Sequence, residues 1–489
     1  MKINTDSRHE QRPLLAYLSQ EKKERIHHAS LEVLERTGMD FNSPEAIDIL
    51  SASGARVVDG NRVKIPSSLV DEALASVPKS VVLNDRDGRK ALFLERNNVY
   101  YGPGSETPFT LDPYTGERRP SLKEDVVKAA RVVDYLPNID FVMSFALATD
   151  IPKRCEDVHH FEAMVRTTTK PVLFTSWDLD GIQSIYEICV TVRGSDEAFK
   201  ANPFICHYVE PISPLKHPRE SIDKLFFSVD HGIPVMYVPA PSAGGTAPVT
   251  LAGAFALSNA EVLSGLVLAQ LKKKGAPFVY GGGPNLLDPR TAVFSYGAPE
   301  TFISRIVRTE MAHFYGLPAF STGGCTDAKT LDQQAAFEAG NSLILSSLAG
   351  SDLVHDVGYM ESGFTSSLTL LTLCDEMIGS ARRVLRGFDV SEEKLAVHVI
   401  DSVGPGGNFL SLEHTLKHFK EEIWMSQISD RQDYKGWKNG GSKTFKDKAE
   451  EKLRWILENH RPRPLKDSVQ SQVSEIVKDL DARRQRSSP

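Results

Sequence analysis

A chain of 489 residues, 41% hydrophobic and 25% charged, has ordinary globular composition and is long enough to bury a core without staples. Its formal net charge of −7 supplies no basic field, which argues against nucleic acid or an anionic membrane as a partner. Five widely spaced cysteines with no CxxC argue against a disulfide framework and a zinc site, and point to a reduced, intracellular, cytoplasmic setting.

Residues 1–19 are largely polar and expected to be mobile, apart from an apolar patch at 14–18. No signal peptide is visible there, and no segment has the uninterrupted apolar length of a membrane span. Helices are expected at residues 22–37, stopped by Gly38, at 43–52, and at 67–76, closed by Pro78. With an extended piece at 62–65, residues 1–97 read as an N-terminal α+β segment.

From residue 98 the pattern becomes regular. Strand-length apolar runs at 99–102, 141–147, 171–177, 203–208, 234–239, 277–282, 318–322 and 351–355 alternate with helical patterns. The helices fall at 122–135, 154–168, 181–193, 218–230, 251–274, 299–315, 330–348 and 366–385. Such repetition implies parallel strands with right-handed crossovers. Eight units over residues 98–388 predict an α/β fold, a (β/α)8 TIM barrel, with an open doubly wound sheet as the alternative. No GxGxxG follows the first strand, and no long lid insertion is visible in the strand-end loops. Residues 389–489 form a helical C-terminal extension: a helix at 391–401, a glycine-rich loop at 402–408, a helix at 410–424, a turn-rich stretch at 433–442, and amphipathic helices at 446–460 and 464–482. The basic runs at 272–274 and 483–486 read as a solvated helix end and a frayed tail.

In a barrel the loops after the strands share one mouth, where chemistry sits. The polar groups there include Glu106, Ser176, Trp177, His207, Tyr208, Glu210, Asn285, Cys325, Asp327, Lys329, His355 and Asp356. His207 and His355 follow apolar runs and meet acidic neighbours, so they are either acid/base groups or hydrogen-bonded structural residues. A metal held by His207, Glu210 and His355 lacks HxxEH or HxH spacing, so no metal is expected. Cys325, just after Gly323 and Gly324, reads as a small buried residue or as a nucleophile, the latter requiring a nearby base and a depressed pKa. Aromatic residues near the mouth, among them Phe174, Trp177, Tyr208, Tyr237, Tyr296, Tyr359 and Phe364, are core or a cage for a quaternary ammonium.

Four long motifs then converge. PSAGGTAPVTLAGAFALSNAEVLSGLVLAQ (241–270), GGCTDAKTLDQQAAFEAG (323–340), SDLVHDVGYMESGFTSS (351–367) and VGPGGNFLSLEHTLKHFKEEIW (403–424) resemble the trimethylamine methyltransferase family. The likeness runs from about residue 24 to about residue 460. It implies a TIM-barrel enzyme that moves a methyl group from a methylated amine to Co(I) of a separate cognate corrinoid protein, with no cofactor bound tightly by the chain itself. The trimethylamine-specific branch carries pyrrolysine in the segment that matches residues 323–329, where this chain has only standard residues. A quaternary ammonium needs no such activation, because it leaves as a neutral amine. A quaternary amine such as glycine betaine is therefore the expected substrate. Phe174, Trp177, Tyr208 and Phe364 are the candidate cage, with Glu106 as a carboxylate near the cation and His355 or His207 to pair with a substrate carboxylate. Gly323, Gly324, Cys325, Asp327 and Lys329 form the candidate corrinoid-facing loop. No side chain is assigned as catalytic, and a homo-oligomer is expected, with the C-terminal helices as its interface. The rival readings are a hydrolase or lyase using Cys325 or a His/Glu pair, and a non-catalytic amine binder.

Overall fold

Short, apolar parallel strands organise the middle of the chain. The structure, a computed structural model, describes residues 13–95 and 97–487. Val172–Phe174, Ile205–Val209, Val235–Tyr237 and Phe278–Tyr280 pair in that order, all parallel. Tyr100–Tyr101, Leu353–His355 and Phe320–Thr322 form a second parallel set. Single bridges link the two sets through Tyr280 and Ala319, and extend the first to Val142. Asp140 N donates to Tyr101 O (2.6 Å), bringing residue 142's segment beside the first strand. Five of these three-residue strands are buried at every position, on both faces, which is why their sequences are mostly apolar rather than alternating.

One buried cluster gathers Leu173, Cys206, Met236, Val279, Phe320 and Leu353, one side chain from each of six strands. The antiparallel hairpin of Val81–Asn84 and Lys90–Leu94 inserts Val81, Leu83, Leu92 and Leu94 into the same cluster. Helices follow the strands at Lys123–Tyr135, Glu156–Thr167, Leu179–Arg193, Arg219–Asp230, Leu251–Lys272, Pro299–Phe314, Gln333–Ala349 and Leu368–Arg386, close to the expected positions. The helix Leu251–Lys272 corrects one expectation: by length and composition it is apolar enough to cross a membrane. It is apolar all round because it is packed on all sides, with 78% of its most apolar window buried.

Other expectations also change. Residues 1–12, most of the stretch expected to be mobile, lie outside the described residues, and the apolar patch at 14–18, excepted from that expectation, is pinned. Leu15 N donates to Leu348 O (2.8 Å), and the Tyr17 and Leu18 amides donate to the Glu310 carboxylate (3.0 and 3.1 Å). The run at 141–147 is strand-like only near Val142, because Phe145 turns the chain at φ 64°. The loops after the first and sixth strands do carry insertions, the hairpins Phe109–Leu111 with Arg118–Pro120 and Asn285–Asp288 with Val293–Ser295. The helix expected at 391–401 is broken at Ala396 (φ 52°) into Glu392–Leu395 and Val397–Val403. The turn-rich stretch at 433–442 holds a helix, Tyr434–Asn439, capped by Asp433. The basic run at 483–486 is no frayed tail: it ends the helix Asp467–Ser487, where Arg484 pairs with Asp178 (2.8 Å).

The helix Leu251–Lys272 also buries a carboxylate. Glu261 is fully buried and accepts from Leu215 N (2.8 Å) and Ser213 Oγ (2.9 Å), tying the loop after Ile205–Val209 to the helix. Burial pushes its pKa up to about 7, against an ordinary glutamate near 4.5. The folded state therefore binds the extra proton between those values, so stability falls as pH rises from about 4.5 to 7 and stays lower above that. That fall amounts to about 3 kcal/mol. Glu261→Gln is expected to match the wild type in urea unfolding at pH 5 and to be more stable at pH 8. Identical pH slopes for the two proteins would refute this.

Candidate active site

Two cavities open at the carboxyl ends of the parallel strands, about 560 and 250 Å³ in volume. Ser105, Glu106 and Tyr208 line both. Glu106 sits in the loop after Tyr100–Tyr101, which must run close to the opposite loop. A Cβ on Gly104 would lie 2.4 Å from the Asp356 carboxylate and the Tyr359 ring, so only glycine fits there.

Glu106 is the focus of the local hydrogen bonding. The Thr175 hydroxyl donates to it, Ser144 Oγ stands 3.4 Å away, and His160 Nδ1 3.6 Å away. His160 Nε2 accepts from Ala148 N (2.9 Å), so a neutral ring carries its proton on Nδ1, facing the carboxylate. Burial pushes the Glu106 carboxyl up, but His160 and Thr175 outweigh it and hold the pKa down to about 2. Glu106 is thus a fixed negative charge on the wall between the cavities.

In the larger cavity Glu210 lies near the Tyr208 hydroxyl. Burial raises its carboxyl, Tyr208 pulls it down, and the charge of Glu106 raises it further. Burial also raises Asp157 to about 6, despite the hydrogen bond it accepts from Trp177 N (2.9 Å). Lys224, lowered by burial, donates to Ser176 O. The Trp177 ring stands at the rim, 53% exposed. In the smaller cavity the Tyr296 hydroxyl donates to Asp356 Oδ2 (2.8 Å). His355 donates through Nδ1 to Ser321 O (2.8 Å) and places Nε2 3.2 Å from Asp356 Oδ1. Burial raises the tyrosine hydroxyls at 208, 296 and 359, keeping them neutral. Arg308 completes the wall, and burial, then neighbouring Arg305, lower it to about 10.

Of the residues expected at the mouth, Glu106, Trp177, Tyr208 and His355 line the cavities. Phe174 and His207 do not. They stack face to face at 4.7 Å in the layer between strands and helices, where His207 Nδ1 meets Ser228 Oγ (2.7 Å). The physical reason is strand alternation: their neighbours Thr175 and Tyr208 turn inward, so they turn outward. Tyr237 is also core, against His217. Phe364 is half-exposed in its loop and lines neither cavity. In the candidate corrinoid-facing loop, Gly323, Gly324 and Cys325 are buried against Val354 and Val357. Cys325 lies 3.4 Å from Arg305 Nη2, and burial pushes its thiol up, the opposite of an activated nucleophile. Asp327 accepts from Ser295 Oγ, Tyr296 N, Gly297 N and Ser362 Oγ, fastening two loops, while Lys329 reaches solvent and donates to Asp327 O (2.8 Å).

Sequence reasoning missed His160, Asp157, Lys224 and Arg308, because all four lie on helices rather than at strand ends. One signal was available: Arg305 and Arg308, three residues apart, interrupt the face of a helix that otherwise reads as buried.

The family model described as trimethylamine methyltransferase (MTTB) matches residues 2–489. A trimethylamine methyltransferase of Desulfitobacterium hafniense is 32% identical over 468 residues, 96% of this chain and 94% of the relative. A glycine betaine methyltransferase of the same species is 28% identical, over 95% of this chain and 97% of the relative. The crystal structure of the Methanosarcina barkeri monomethylamine methyltransferase superposes with a TM-score of 0.50 at 16% identity, covering 96% of this chain and 89% of that one.

Proposed function

The chain belongs to the trimethylamine methyltransferase family, and on that premise we propose that it transfers a methyl group from a quaternary amine, glycine betaine or a similar compound, to Co(I) of a separate corrinoid protein. The observation that carries this reading is Glu106, a carboxylate held ionised on a cavity wall shared with Tyr208 and close to Tyr296 and Tyr359. A desolvated ammonium is attracted both to such a charge and to aromatic faces, the latter by about 0.5–2 kcal/mol per contact. We read the frame as a closed (β/α)8 barrel, supported by the bridges between the two parallel sets, the Tyr101–Asp140 link and the shared interior cluster.

The mouth fits a flat macrocycle presented by a partner. Trp177, Ile212, Val249, Val293 and Phe364, all in loops after the strands, expose large apolar surface around the opening. The corrinoid supplies the cobalt nucleophile that accepts the methyl group. The chain's own residues do the rest. Glu106 and the tyrosines fix the nitrogen, the apolar rim excludes water, and the walls hold one methyl group toward the opening. The departing amine is neutral, so no side chain has to protonate it. The expected homo-oligomer is supported by the stretch leading into and through the C-terminal extension, where Phe388, Val390, Val397, Ile400 and Leu410 are exposed.

The test is reconstitution with a Co(I) corrinoid protein, following cobalt methylation by absorbance. Glycine betaine is expected to give methylation and trimethylamine none. Turnover that needs no corrinoid, or no methylation with any betaine or choline-like compound, would overturn the reading.

A further inference from the structure

The smaller cavity carries a second charge that the proposed reaction does not use. Arg308 is 4% exposed, and its guanidinium lines the cavity that Glu106 also lines. Its one described hydrogen bond is long, from Nη2 to Gly283 O (3.3 Å), and Nε has no partner. Among the described residues it makes no ion pair. A guanidinium stripped of water without a carboxylate is costly, and proteins rarely leave one so.

Each charged or titratable neighbour in this cavity is already engaged. Asp356 receives Tyr296 on one oxygen and faces His355 on the other. His355 is lowered by burial, with Asp356 raising it, so it adds no strong positive charge. Glu106 is held by Thr175, Ser144 and His160. Arg305, packed behind, bonds Thr322 and Cys325 through Nε and Nη2, while its Nη1 is buried without a partner; unlike Arg308 it does not line the cavity. Two guanidiniums meet the one carboxylate of Asp356 on this lining, and Glu106 adds a fixed negative charge to the same lining.

We propose that Arg308 binds an anionic group of the substrate, so that the substrate class is quaternary amines carrying a carboxylate, not simple tetraalkylammonium ions or amino alcohols. This rests on the function proposed above. It names a specificity-determining residue for that site. The cavity, about 250 Å³, carries both a carboxylate and a guanidinium on its lining, the two charges a small zwitterion needs. The ammonium lies against Glu106, and the carboxylate accepts hydrogen bonds from the part of the Arg308 guanidinium that lines the cavity. The strand-end histidines are not needed for that pairing.

Calorimetry on the full chain, without corrinoid, tests this with two probes, glycine betaine and tetramethylammonium. The wild type is expected to bind glycine betaine about 30-fold or more tighter. Arg308→Gln is expected to lose most of that preference while changing tetramethylammonium affinity less than about threefold, and Arg308→Lys to recover part of it. Equal weakening of both ligands in Arg308→Gln would mark a structural role and overturn the proposal. So would a wild type that binds the two equally or binds neither, a result that needs no variant. A wild type that prefers betaine but fails to methylate cobalt would overturn the reaction and leave Arg308's role standing.

Discussion

Glu106→Ala is expected to weaken binding of glycine betaine and tetramethylammonium alike by a few hundredfold, about 3–4 kcal/mol, and to slow methyl transfer at least as much. The substitution deletes the fixed charge on the shared wall and leaves the Thr175 hydroxyl and the His160 Nδ1–H without their acceptor. Losing both ligands together separates Glu106 from Arg308, whose loss is expected to show with the carboxylate alone. Glu106→Gln keeps an acceptor for Thr175 but no charge, so it should fall between the wild type and alanine. The pH dependence follows from the lowered pKa. Above about 4.5 the carboxylate is ionised in every state, and its contribution is fully present. It is lost only as pH falls through about 2. Cation binding should therefore be flat from about pH 5 to 8 as far as Glu106 is concerned. Calorimetric titration that finds alanine within threefold of wild type would remove Glu106 from the site.

Asp140→Ala is expected to cost about 4 kcal/mol of stability. Asp140 N donates to Tyr101 O, and the Asp140 carboxylate accepts from Tyr101 N (3.0 Å). The same carboxylate pairs with the buried guanidinium of Arg382, which lies over the Tyr101 ring. Between the first two strand segments these bonds stand in place of the ladders that join the neighbours within each parallel set. Alanine would leave a buried cation and a buried amide unpaired where the fold has least redundancy. Asp140→Asn, which still accepts from Tyr101 N, should cost less. Urea unfolding decides it, and a loss below about 1 kcal/mol would show that the seam does not depend on this pair.

The order of strands and helices was legible because long apolar runs and helical periods survive in a sequence. The phase of each strand was not. A strand buried on both faces is apolar at every position, so nothing distinguishes Phe174 and His207, which face the helices, from Thr175 and Tyr208, which face the cavity. Glu106, Trp177 and Tyr208 were legible as mouth residues because polar or amphipathic side chains follow apolar runs. His160 was not, and Arg308 showed only as a charge interrupting a buried helix face, since a helix gives little cue to which side chains reach past the strands. The segment at 323–329 drew attention by its glycines and cysteine. In the structure it is a packed joint, fastened by Asp327 and Glu338. The hairpins on the first and sixth loops were not legible because three- to four-residue strands carry too little pattern to detect.

The helix Asp467–Ser487 has a consequence for how the molecule comes into being. Arg484 holds Asp178, the cap of the helix that begins just past Trp177, and Asp481 meets His159 beside the Asp157 that holds the Trp177 amide. During synthesis the loop carrying Trp177 emerges some three hundred residues before Arg484. For most of translation the rim of the cavity therefore exists without its clamp. A chain interrupted before residue 467 can gather its central core, since domains consolidate from the amino end, yet carry an unfinished opening. The clamp on the rim is therefore set only once residues 467–487 have been made.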